Sequence, residues 1–292
     1  MQASQQADSR RVCIILNADD FGLSAEIDAG ILALLAKGRL TGVSMMPTGP
    51  LFAANGPKLT AYADRADIGL HFTLTEMPTL RTQGLRRADG TPHTFGEVQS
   101  RAWRRDLDGA AVLDELERQW RAVRDSIGRP PSHIDSHQHI HQLPMVRDAV
   151  VAFVARQPAS ERPYVRTAAE RTGVVLRRGV DSVRALAFAW VARGVRKRLA
   201  AQRCQTNEGF TGVYDFSTGT AYRERFRRFV RGARDNTILL CHPAMPGSSG
   251  YSDPIGPARV AEFAYFSGEE MPGDLAAANV RLGRFDEARR SP

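Results

Sequence analysis

From His133 to His141 the chain reads His-Ile-Asp-Ser-His-Gln-His-Ile-His, placing four of its seven histidines and an aspartate within nine residues. Side chains of an extended strand alternate faces with a period of two. His133, Asp135, His137, His139 and His141 would then share one face, leaving Ile134 and Ile140 on the other. Such a face is a poor apolar surface and a good set of ligands and supporting groups for a divalent metal. A polar strand edge facing water is the simpler alternative, but so dense a cluster favours a metal or catalytic site.

Three other places carry residues of the same chemical type: Asn17-Ala18-Asp19-Asp20-Phe21-Gly22, Gly69-Leu70-His71-Phe72 and Cys241-His242-Pro243. Neighbouring strand residues point in opposite directions, so Asp19 and Asp20 reach one site only where the chain turns. Gly22 supplies the freedom for that turn. One carboxylate can then hold a metal while the other takes a proton from metal-bound water; an Asx turn capping the next helix is the bland alternative. His71, taken alone, reads as a buried, hydrogen-bonded histidine. One carboxylate and two imidazoles leave positions open on a divalent ion, as catalytic sites require. An ion so held lowers the pKa of a bound water from 15.7 to about 7.

The elements that must position these residues alternate between strands and helices. Arg11–Leu16 is a near-continuous apolar run, the mark of a buried parallel strand. Ser24 can cap a helix whose stripe is Ile27, Ile31, Leu34 and Leu35. Gly42–Thr48 and Asp67–Thr75 predict further strands, and Met77–Val98, rich in Gly, Pro, Thr and Arg, predicts a lid loop. Asp108–Ile127 is amphipathic through Leu113, Leu116, Trp120, Val123 and Ile127, and Gly128 with Pro130-Pro131 ends it. The histidine strand, a helix from Pro144 and a strand at Tyr164–Thr167 follow. Arg178–Ala201 mixes basic and apolar residues at helical spacing; a helix packed on the body is preferred to a membrane-surface or lid helix. Thr237–Cys241 is a last buried strand. This alternation argues for a parallel α/β sheet, open or closed into a barrel, with the site at the C-terminal strand ends. No linker divides the chain, so residues 11–288 read as a single domain and 1–10 as a disordered tail.

Composition is that of an ordinary globular protein, 42% hydrophobic and 25% charged. The three cysteines, Cys13, Cys204 and Cys241, are scattered, which suits a reducing cytoplasm. The N-terminus lacks a signal-like apolar core, and the longest apolar run, Ala185–Ala192, is too short for an integral membrane segment. The formal charge of +8 reads as a solvated, arginine-rich surface. No nucleic-acid motif accompanies it, whereas attraction of an anionic small substrate stays open.

In their order, Asn17–Ser24, Ile68–Thr75, His133–His141 and Cys241-His242-Pro243 resemble the motifs of the YdjC-like carbohydrate deacetylases, the family of chitooligosaccharide deacetylase. The resemblance implies a distorted (β/α) barrel, often a homodimer. It implies a hydrolase that uses one divalent metal, Mg or Zn with Mn or Co as alternatives, to remove acetyl groups from N-acetylated sugars. The sugar is left open among oligosaccharide, phosphorylated and lipid-linked forms. By motif position, the resemblance makes Asp20, His71 and His137 the metal ligands, Asp19 the general base and His242 the general acid. Asp135, His139 and His141 remain supporting or substrate-contacting groups. The choice of ligand among His137, His139 and His141 stays open, because a helical turn after Ser136 would bring His141 beside His137. The basic stretch Arg177–Arg203 matches none of these motifs. The rival readings are a non-haem iron oxygenase, a metal-dependent phosphoesterase and a non-catalytic sugar- or metal-binding barrel.

Overall fold

The buried apolar runs form one parallel sheet in a computed structural model that describes residues 11–81, 83–247 and 251–290. The tail expected at residues 1–10 lies outside the described residues. The strands are β1 (Val12–Phe21), β2 (Gly42–Met45), β3 (Asp67–Phe72), β4 (His133–Ser136), β5 (Tyr164–Val165), β6 (Gly209–Thr211), β7 (Thr237–Cys241) and β8 (Val280–Leu282). Their spatial order is β5-β4-β3-β2-β1-β7-β6, and β8 pairs with the start of β1. A parallel bridge between Val165 and Thr206, just ahead of β6, spans the seam between the two outer strands. The sheet therefore curls into a distorted barrel, as expected, within one domain.

Helices pack outside because every crossover between parallel strands must return along the sheet face. Ser24 caps α1 (Ala25–Ala36) by accepting from the Ile27 amide, and Ile27, Ile31, Leu34 and Leu35 are buried against the sheet. Thr94 and Glu97 make a reciprocal cap for α2 (Phe95–Arg104). Asp108 caps α3 (Gly109–Ile127), and left-handed Gly128 ends it at φ 68°. The other helices that matter here are α4 (Val146–Arg156), α5 (Ser182–Ala201) and α6 (Gly256–Ser267).

Several boundaries differ from the sequence reading, and two of the differences build the site. β1 continues past Leu16 to Phe21, with a register irregularity against β2 between Ala18 and Phe21. Asp20 sits there with φ 71°. A bulge, and not only the freedom of Gly22, therefore turns two adjacent carboxylates inward. The histidine strand stops at Ser136. His137–Gln142 form a tight 3-10 turn in which Gln138 and His139 are left-handed, at φ 53° and 57°. The expected one-face alternation of five residues thus holds for His133 and Asp135 alone. β2, β3 and β5 end two to three residues early, at Met45, Phe72 and Val165. α5 starts at Ser182 because left-handed Gly179 closes a separate short helix, Thr172–Arg178.

Candidate active site

Four parallel strands deliver their C-terminal ends to one rim, and the chemistry-bearing residues meet there. Asp19 and Asp20 come from β1, His71 from β3, Asp135 from β4, His137 from the turn after it and His242 from the residue after β7. Asp20 Oδ1 lies 3.2 Å from His137 Nδ1 and 3.3 Å from His71 Nε2. Three ligand atoms, one each from Asp20, His71 and His137, fall within 4.8 Å of one another. Donors held at roughly 2.0–2.1 Å around a tetrahedral ion sit about 3.3 Å apart, so these spacings fit a shared divalent cation. The far side of His71 is ordered to suit a ligand role. Its Nδ1 donates to Asp135 Oδ1 at 2.7 Å, leaving the Nε2 lone pair turned towards Asp20.

The electrostatics favour a positive charge at this point. Burial opposes ionisation of His71, yet Asp135 and Asp19 together raise its pKa to about 10. In effect a proton does what a cation would do. Burial also works against the Asp20 carboxylate, but Arg259, His137 and His71 hold it well below the usual range. Arg259 Nη2 donates to Asp20 Oδ2 at 2.7 Å, on the side away from the two imidazoles.

Asp19 is held differently. Arg166 is fully buried and grips it with two bonds, Nη1 to Oδ1 at 2.6 Å and Nη2 to Oδ2 at 2.7 Å. The same Nη1 lies 3.0 Å from Asp135 Oδ2, which also accepts from the Ser44 hydroxyl. Asn17 Nδ2 donates to Asp19 Oδ1 and to Ser44 Oγ. Asp19, His71 and Asp135 also bring three donor atoms within 4.8 Å. A second cation there would face the Arg166 guanidinium, which already neutralises both carboxylates.

His242 Nε2 is 4.0 Å from Asp19 Oδ2, and its ring stands edge-on to Phe216. Burial drives its pKa down to about 4 against the pull of Asp20 and Asp19, so at neutral pH it is uncharged. Its backbone N–H donates to Glu262, a buried carboxyl that also accepts from the Tyr214 hydroxyl at 2.7 Å. Burial lifts Glu262 to about 7.

The other expected residues separate clearly. His141 Nε2 donates to the Arg166 carbonyl at 2.7 Å and Nδ1 meets Ser136 Oγ at 2.6 Å, so both ring nitrogens are engaged away from the ion position. The chain does turn helical there, but the turn does not bring His141 to Asp20. His139 packs edge-on against Phe188 and Phe210 on the pocket wall. His133 sits beneath, over Gly69, where a β-carbon would come within 2.3 Å of its ring. A cavity of about 540 Å³ opens above the centre, bordered by Phe95, Phe188, Phe216, Tyr251 and Ile255 as well as the polar groups. Among the described residues only the edges of the expected lid reach it, through Phe95 within the stretch and Glu76 just ahead of it. The stem is pinned to α3 instead, with the Leu80 and Arg81 amides on Glu115 and the Arg81 guanidinium on Asp114.

Sequence reasoning missed Arg166, Arg259, Ser44, Glu76 and Glu262. Arg166 was within reach, because it follows β5 at the same rim as the residues that were found. Arg259 and Glu262 lie one turn apart on α6, where an Arg and a Glu look like any solvated pair.

Comparison with known proteins supports the architecture. Chitooligosaccharide deacetylase of Serratia marcescens is 27% identical over 286 residues, covering 94% of this chain and 98% of its own. Chitooligosaccharide deacetylase of Enterobacter sp. (strain 638) is 26% identical over 281 residues, with 93% and 97% covered. A solved structure from Enterococcus faecalis V583, provisionally assigned to cellobiose-phosphate cleavage, superposes with a TM-score of 0.69 at 20% identity, covering 94% of this chain and 98% of that one. The sequence pattern of the YdjC-like proteins matches residues 13–277, and the chain belongs to that family.

Proposed function

We propose that this chain is a divalent-metal-dependent hydrolase that removes acetyl groups from N-acetylated sugars. The observation that carries the reading is the convergence of Asp20, His71 and His137 on one point, with a second carboxylate, Asp19, beside it and bound to none of the three. The relatives named for chitooligosaccharide deacetylation, matched along nearly their whole length, supply the substrate class.

In this reading Asp20, His71 and His137 hold the ion. A divalent ion held there would supply a water of lowered pKa and a polarised acetyl carbonyl. Asp135 fixes the orientation of His71, and Arg259 keeps the second oxygen of Asp20 occupied. Asp19 takes the proton from the attacking water as its oxygen bonds to the carbonyl carbon, and Arg166 keeps the carboxylate aimed. The carbon–nitrogen bond then breaks, and the departing nitrogen needs a proton because an amide anion is a very poor leaving group. His242 stands where it can deliver one. Because it rests uncharged, the proton it gives is the one Asp19 has just received, and the 4.0 Å between them must shorten to hydrogen-bond distance or be bridged by one water. Acetate and a free amino sugar result. The position of Arg166 beside Asp19 and Asp135 supports one-metal chemistry over a two-metal phosphoesterase, since its guanidinium stands where a second cation would sit.

The test is acetate release from a panel of N-acetylated sugars by protein stripped of metal and reloaded with Zn, Mg, Mn or Co. Activity that appears only with metal is expected. No acetate from any sugar with any ion would overturn the reading, and phosphate release from sugar phosphates would replace it with the phosphoesterase.

A further inference from the structure

The outer face of α5 carries exposed apolar side chains that the catalytic reading leaves unexplained. Val183, Ala187 and Trp190 follow one another at spacings of four and three along its exposed side. Val183 is 83% exposed and Trp190 61%, and Leu176 of the preceding short helix is 58% exposed. Trp190 stacks on Trp103 of α2, itself 46% exposed, with ring centroids 6.0 Å apart and planes 20° from parallel. Burying apolar side chains drives folding, so an aromatic pair left in water marks a surface that something else covers.

Charge says what that something is. From Ser182 to Ala201 the helix carries Arg184, Arg193, Arg196, Lys197 and Arg198 and not one Asp or Glu. Arg184, Arg196 and Arg198 pair with Asp181, Glu208 and Asp148. Arg193 is exposed one turn beyond Trp190 and Lys197 two turns beyond it. Arg105 and Arg198 also lie close enough to Arg147 to add to the effect of burial in lowering its pKa. A second copy docked through this face about a two-fold axis would set cation against cation. An acidic sheet of lipid headgroups would not. Tryptophans are enriched at headgroup level, and arginines and lysines beside them are drawn to anionic lipid.

We propose that α5 and the tip of α2 dock this protein peripherally on an anionic bilayer, with Trp190 and Trp103 inserted at headgroup depth and Arg193 and Lys197 on the lipid phosphates. The same two helices wall the pocket through Phe188 and Arg184 and through Phe95 and Gln99. Docking therefore brings the mouth of the pocket alongside the surface.

The experiment uses the full chain with vesicles of phosphatidylcholine alone or with about one third phosphatidylglycerol. Co-sedimentation and a blue shift of tryptophan emission are expected with the anionic vesicles only, and weaker at high salt. Trp120 is 4% exposed and should not report. Arg193→Glu with Lys197→Glu should weaken partitioning at least twentyfold, at about fivefold for each cation lost. Trp190→Ser should lose about half of the emission shift, the rest coming from Trp103. Both variants should keep wild-type circular dichroism and wild-type turnover of a soluble substrate, because neither touches the pocket. No co-sedimentation at low salt, or equal binding by the wild type and the charge-reversed variant, overturns the proposal. So does a dimer that Trp190→Ser dissociates, or binding to a single-stranded oligonucleotide without binding to vesicles.

Discussion

At the scale of single residues, the centre divides two adjacent carboxylates by their partners. Asp20 shares Oδ1 with two imidazoles, whereas both oxygens of Asp19 face a guanidinium. Asp19→Asn should therefore keep its metal while turnover falls by about two to four orders of magnitude, the usual worth of a general base. Loss of metal by elemental analysis would show that the two roles are exchanged. His71→Ala and His137→Ala should each lose the ion with the fold intact, while His141→Ala should retain it. His242→Ala should lose far more activity on an N-acetyl sugar than on an activated acetate ester, whose leaving group needs no proton. Equal losses would leave His242 a structural group. Which residue types would meet could be read from the chain, because Asp-Asp, Gly-Leu-His and the histidine run carry little else to do. How they meet could not. The left-handed backbone at Asp20, Gln138 and His139 is unusual for residues with a side chain, and each is held by groups distant in sequence: Arg259 on Asp20, Thr75 and Glu76 on Gln138, Phe188 and Phe210 on His139.

At the scale of elements, β7 and α3 stand where hydrophobic periodicity put them: β7 is buried along its whole length, and Leu116, Trp120, Val123 and Ile127 are buried on the α3 stripe, with Leu113 partly so. Strand ends were less legible. His137 to His141 alternate as a strand should, yet the backbone leaves the sheet at Ser136, since β5 offers only Tyr164 and Val165 for pairing. Met77–Val98 was expected to cover the pocket, but Glu115 and Asp114 tie its stem to the flank of α3. Deleting the tip, residues 86–91, should therefore leave the Michaelis constant within about twofold. Phe95→Ala, which removes a pocket wall, should raise it by about 1–3 kcal/mol of lost apolar contact, or roughly 5- to 150-fold. A large effect of the tip deletion with none from Phe95→Ala would restore the lid.

At the scale of the whole molecule, the barrel has a reactive top and a strained bottom. Asp67 opens β3 at the end away from the site and accepts the Phe285 amide at 2.7 Å. Burial, with help from Asp286 and Glu287, raises it to about 6 against that bond and Arg284. The unfolded chain releases this proton near pH 4, so between about 4 and 6 the folded state binds more protons. Stability contributed by this group is thus full below pH 4 and lost as pH rises through 6, by up to about 3 kcal/mol. Asp67→Asn keeps an acceptor for Phe285 and should flatten that slope, unfolding at higher urea than wild type at pH 7.5. Indistinguishable midpoints would mean that the bottom relaxes enough to hydrate the carboxylate. The β–α alternation made the parallel sheet legible, but its closure was not, because β6 and β8 are three residues each and carry no periodic signal.

One bridge, Val165 to Thr206, spans the seam of that barrel, and Arg166 is the next residue along. The Val165 amide on the Gln205 carbonyl and the Thr167 backbone on the Asn207 side chain add to that bridge, but the seam lacks the continuous ladder between β1 and β7, so its amides should exchange with heavy water before theirs. Each opening swings the guanidinium away from the carboxylate it aims. Heat should accordingly extinguish turnover some degrees before the molecule as a whole melts, and cross-linking β5 to β6 should bring the two temperatures together.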